Sequence, residues 1–165
     1  AIRGMNEDEI LDFALLAKKD SLSIRFIEYM PIGNSIPRGE FISAEKIIGE
    51  IRAREELLAV ESKKNTDTAE RYKFREGRGE IGIISPLSKK FCSRCNRLRL
   101  TSDGKLKTCL LSDDEIDLRA VLRGEGNRTR IADIFRMAAL AKPKEHHLGA
   151  TSFKKCSRSM MAIGG

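Results

Sequence analysis

Three cysteines constrain this chain more than any other feature. Cys92 and Cys95 form a C-x2-C pair, and Cys109 follows after thirteen further residues. Two thiolates spaced this way can face one metal from a single turn, but the third must be returned to them by the fold. Asp103-Gly104 lies between Cys95 and Cys109 and is the kind of dipeptide that turns a hairpin. Three thiolates plus a fourth ligand satisfy tetrahedral zinc. Three thiolates at three corners of a [4Fe–4S] cube leave one iron open to substrate. For zinc, the fourth-ligand candidates are Cys156, His146 and His147, none of them at a two-residue spacing from another ligand. No second C-x2-C pair exists, so the spacing leans toward a three-ligand open site and zinc remains the alternative.

The segment after the pair reads Asn96-Arg97-Leu98-Arg99-Leu100. On a strand, Arg97 and Arg99 point to one face and Leu98 and Leu100 to the other. Two permanent cations side by side suit phosphate oxygens; the plainer reading is a solvated, half-buried strand. Residues 63–100 carry 11 Lys/Arg against 4 Asp/Glu, whereas residues 1–62 carry 8 against 12. The positive field therefore surrounds the cysteines and favours a phosphorylated small molecule or a polyanion. A zinc-stabilised nucleic-acid-binding module is the competing reading. Against it stand an aromatic content of only 5% with no Trp, poor for base stacking, and the lack of a recognition-helix motif. Arg25 stands among apolar neighbours in Ile24-Arg25-Phe26-Ile27-Glu28, so it either pairs with Glu28 or faces a pocket.

At 165 residues the chain suits about one ordinary domain's worth of core. No apolar run approaches the ~20 residues of a membrane span, and no signal-peptide pattern opens it. A cytoplasmic location is the expectation, and four cysteines there are ligands or free thiols rather than disulfides. Ala1 reads as a cut point inside a longer protein. Asn6 with Glu9 predicts a capped helix over residues 7–19, followed by a strand over 22–30. Ser43 caps a second helix bearing Ile47, Ile48 and Ile51, and an extended piece ends near Val60. Residues 71–74 and 80–85 form a hairpin around Glu76–Gly79. Ser112 with Glu115 opens a helix to Gly124, and a last helix runs from Thr129 until Pro143 stops it; residues 143–165 read as loop. The fold class expected is α/β: the tail of an incomplete, TIM-like β/α barrel in residues 1–36, then an α+β domain with an iron–sulfur site in residues 37–165.

Taken in order, "RFIEYMPIGN", "FCSRCNRLRLTSDGKLKTCL" and "SMMAIGG" resemble the C-terminal half of the radical S-adenosylmethionine GTP 3′,8-cyclase family of molybdenum cofactor biosynthesis. The motifs anchor the likeness from end to end, while residues 53–80 and 110–150 match only in general character. The resemblance implies that Cys92, Cys95 and Cys109 hold a [4Fe–4S] cluster whose open iron binds the guanine of GTP. It places Arg97, Leu98 and Arg99 on the GTP-contacting segment and Arg25 on the substrate side of the last barrel strand. Met30 falls where the family contacts S-adenosylmethionine through backbone, and Gly164-Gly165 match a tail implicated in the radical chemistry. The family's C-x3-C-x2-C motif, which holds a second [4Fe–4S] cluster and cleaves S-adenosylmethionine, is absent here. The chain alone is therefore expected to be inactive, with Cys156 a bystander thiol. Expected partners are GTP, S-adenosylmethionine, a second copy in a homodimer and, next in the pathway, cyclic pyranopterin monophosphate synthase; neither membrane nor nucleic acid is expected.

Overall fold

The computed structural model describes residues 1–30, 32, 40–61, 67–124, 128–146 and 156–163. The chain divides into two compact units, Ala1–Met30 with Ile36–Arg94, and Pro31–Ser35 with Cys95–Gly165. Among the described residues it is a mixed α/β protein with two sheets and no closed barrel. Among the described residues no helix is long and apolar enough to cross a membrane.

The first unit places α1 (Ile10–Lys19) and α2 (Ala44–Arg52) against a four-stranded sheet. The strands are β1 (Ser23–Ile27), β2 (Leu57–Val60), β3 (Ala69–Phe74) and β4 (Glu80–Ile84), ordered β1-β4-β3-β2. β1 runs parallel to β4, and the other neighbours are antiparallel. Period-two alternation sends Phe26, Tyr72, Phe74, Ile81 and Ile83 into the core, where they meet Ile10, Ala14 and Ala17 of α1 and Ile47, Ile48 and Ile51 of α2. Ser43 caps α2 as its sequence suggests, its hydroxyl accepting the Lys46 N–H at 3.2 Å. The β3–β4 hairpin also forms. Gly79 is needed there because a Cβ would lie 2.1 Å from the Leu22 carbonyl oxygen.

Two expectations fail locally in this unit. Asn6 and Glu9 do not form a capping box: Asn6 Oδ1 accepts the Ile2 N–H, and α1 starts at Ile10 without a side-chain cap. Of the two readings of Arg25, a pair with Glu28 or a place facing a pocket, the pair does not form, because the acid is used elsewhere. Glu28 is 1% exposed, and its oxygens accept the N–H groups of Ala44 (2.8 Å), Leu87 (2.8 Å) and Ser88 (3.0 Å), along with the Ser88 hydroxyl. A carboxyl offers lone pairs to several donors at once, so it ties the first turn of α2 to the loop after β4.

In the second unit β5 (Arg99–Leu100), β6 (Lys105–Lys107) and β7 (Glu115–Asp117) form an antiparallel sheet in that order. α3 (Leu118–Arg123) and α4 (Arg128–Leu140) cover it, burying Leu106, Leu118, Ile134 and Ala138 together. Ser112 does not open a helix. Residues 115–117 are spent on β7, and α3 begins one step later, with Asp117 as the cap accepting the Ala120 N–H at 3.0 Å. α4 matches its expected start, and a short helix α5 (Met160–Ile163) lies in what reads as loop.

Candidate metal and substrate site

The turn between β5 and β6 does what Asp103-Gly104 suggests. Gly104 takes φ +82°, its carbonyl accepts the N–H groups of Leu118 and Arg119 at 3.1 Å each, and a Cβ there would press 2.9 Å from Arg119 Cβ. Thr101 closes the loop by accepting the Lys105 N–H at 2.8 Å. Chain direction then reverses, pairing Arg99 with Lys107 and Leu100 with Leu106. Cys95 lies just before this hairpin and Cys109 just after it. Strand geometry covers only Arg99–Leu100, so the full alternation expected of 97–100 is shortened. Leu98 still packs against the Leu106 core, whereas Leu100 is exposed.

Burial makes the Arg99 guanidinium hold its proton less firmly than usual, and the neighbouring Arg97 charge adds to this. Cys95 and Cys109 act on Arg99 in the opposite sense. Two cysteines and two arginines thus share one field. Cys92 sits in a 3-10 turn, Cys92–Arg94, that closes the first unit. All four cysteines are free thiols, and Cys92, Cys95 and Cys109 are partly exposed. Among the described residues no three His, Cys, Asp or Glu side chains converge as a metal site. Cys95 and Cys109 both belong to the second unit and flank its β5–β6 hairpin, while Cys92 belongs to the first. In donor chemistry, free, accessible thiols beside permanent cations fit an iron–sulfur group.

Arg25 and Met30 belong to the first unit. Arg25 lies on the sheet face opposite the helices, paired in register with Gly82. Its stem passes over that glycine, where a Cβ would lie 3.3 Å from Arg25 Cγ. Met30 is half-buried. Gly164, Gly165 and His147 lie outside the described residues. Cys156 is buried, accepting from Lys107 Nζ at 3.7 Å and donating to the Leu110 carbonyl at 3.8 Å.

Four polar side chains escaped sequence reasoning as site-building groups. Glu28 was in view but assigned another partner. Lys107 is fully buried, 3.6 Å from Glu115. Arg158 reaches Asp103 at 2.9 Å and Glu115 at 2.8 Å, fixing the segment after Cys156 to the hairpin. The Asp103 carboxyl is held well below the usual range and that of Glu115 below it, each first by its bond from Arg158. Lys142, just past α4, donates to the Arg97 and Thr108 carbonyls. Only Glu28, an acid in an apolar run, carries a local sequence signal.

A family model described as Molybdenum Cofactor Synthesis C matches residues 22–148. A protein named GTP 3′,8-cyclase from Moorella thermoacetica is 46% identical over 164 residues, covering 99% of this chain and 50% of its own length. Proteins of the same name from Clostridium botulinum (strain Hall) and Alkaliphilus oremlandii are 43% and 41% identical over 166 and 167 residues, covering 99% and 100% of this chain. The chain spans about half the length of these curated relatives, the C-terminal half. The likeness read from the motifs is therefore a shared ancestry along nearly the whole chain. It belongs to the Molybdenum Cofactor Synthesis C family, with a role in the synthesis of that cofactor.

Proposed function

We propose that this chain is the substrate-binding part of a GTP 3′,8-cyclase. Its relatives bear that name, and the observation that supports the reading best is the β5–β6 hairpin, which carries Arg99 and has Cys95 just before it and Cys109 just after it. Cys92, Cys95 and Cys109 would hold a [4Fe–4S] cluster. When bound, such a cluster supplies an open iron, a Lewis-acidic site for a base nitrogen or oxygen. Arg97 and Arg99 would take the phosphates or ribose side of GTP, with Leu98 contributing backbone between them. Arg25 would face substrate from β1, and Met30 would lie at the S-adenosylmethionine side.

On this reading residues 1–36 close a barrel begun upstream and residues 37–165 carry substrate. The second cluster and the S-adenosylmethionine radical come from the other half of the full-length enzyme, so the chain by itself binds but does not turn over. Gly164-Gly165 would enter the reaction site, where glycine permits close backbone approach. A cytoplasmic homodimer, handing its product to cyclic pyranopterin monophosphate synthase, completes the proposal.

GTP titration of the anaerobically reconstituted chain tests it. Arg99→Gln should weaken GTP binding by about tenfold, the loss of one charge-assisted contact, while iron content stays unchanged. Equal affinity in the variant would contradict the assignment.

A further inference from the structure

The second unit contains a cation that links the segments carrying Cys95 and Cys109. Lys142 follows α4, which is held by buried Ile134 and Ala138, and Pro143 comes directly after it. Its ammonium has three protons to donate. Three acceptors meet it: the Arg97 carbonyl at 2.6 Å, the Thr108 carbonyl at 2.8 Å and Cys95 Sγ at 3.9 Å. Arg97 is two residues past Cys95, and Thr108 immediately precedes Cys109. The turn at Gly104 closes one end of the hairpin; Lys142 ties the open end, where the cysteines lie. Ordering a lysine side chain costs up to ~2 kcal/mol of rotamer freedom, so a lysine with no task would stay in solvent. Charge-assisted bonds to two carbonyls offset that cost.

We infer that Lys142 is a positioning residue: it fixes the separation of Cys95 and Cys109 and donates a hydrogen bond to the Cys95 sulfur. Only its effect on a cluster rests on the proposed function; the clamp itself does not. A hydrogen bond to a ligating sulfur withdraws electron density and favours the reduced, more negative state of an iron–sulfur group. Lys142 therefore raises the reduction potential of whatever cluster Cys95 ligates.

Lys142→Met removes the charge at similar length, and Lys142→Arg keeps it. In the metal-free chain, hydrogen exchange at the amides of Arg99 and Lys107 should quicken by about tenfold or more in Lys142→Met, the loss of a charge-assisted clamp. Lys142→Arg should recover most of that protection. After anaerobic reconstitution, a redox titration followed by electron paramagnetic resonance should give a lower midpoint potential for Lys142→Met and a restored one for Lys142→Arg. An unchanged exchange rate, or an unchanged potential in a cluster that forms normally, overturns the inference. If the unsubstituted chain takes up no iron, the proposed function fails, and the exchange measurement alone still decides the clamp.

Discussion

At the scale of single residues, the outcome turned on where each charged group found its partners. Glu28 shows this best. The sequence offered it only as a possible partner for Arg25, but its partners proved to be three backbone N–H groups and a hydroxyl from two distant segments. Glu28→Ala would leave those donors without acceptors in a dry site. We expect a loss of about 3 kcal/mol or more in unfolding free energy, since each orphaned donor costs on the order of 1–3 kcal/mol. Urea unfolding followed by circular dichroism measures it; a change within about 0.5 kcal/mol would show that Glu28 is not the tie we describe. The nearness of Arg97 and Arg99 to Cys95 was legible because these residues are close neighbours in the sequence. Lys142 and Arg158 were not, since each acts on residues more than thirty positions away and nothing local marks it.

At the scale of elements, local chemistry was a good guide where one turn or one cap decided the outcome. Ser43, the 71–84 hairpin and Gly104 behaved as their residues imply. It failed where tertiary pairing competed with local preference: Glu115 reads as the second half of a capping box but is drawn into β7 by Lys105, Lys107 and Arg158. The parallel pairing of β1 with β4 had no sequence signal, because the two strands lie more than fifty residues apart. The segment after Cys156 offers a pH test. Asp103 and Glu115 have ordinary values of 3.8 and 4.5 and are depressed in the fold, chiefly by Arg158. A depressed native value means their stabilisation is complete above the ordinary range and is lost as pH falls below about 4. Protection of the 157–163 amides should therefore hold from neutral pH down to about 5 and decline below 4. Arg158→Gln should lower protection at neutral pH and flatten that decline. A variant with the same acid profile as the unsubstituted chain would remove Arg158 from the tie.

At the scale of the whole molecule, the residues named in the proposal divide between two compact units. Arg25, Met30 and Cys92 lie in the first, and Arg97, Arg99, Cys95 and Cys109 in the second. Sequence motifs identified the family because they sit at both ends of the chain and around the cysteines. They could not reveal the division into units, since that depends on which strands pair rather than on composition. The claim on which the functional reading depends is that three cysteines, and not Cys156, hold an iron–sulfur cluster. Iron, acid-labile sulfide and zinc should be measured in chain prepared and reconstituted without oxygen, alongside Cys92→Ser, Cys95→Ser, Cys109→Ser and Cys156→Ser. We predict about four irons and four sulfides per chain in the unsubstituted protein and in Cys156→Ser, and loss of the cluster in each of the other three. Stoichiometric zinc without iron, or a cluster that survives removal of Cys109 but not of Cys156, would contradict it.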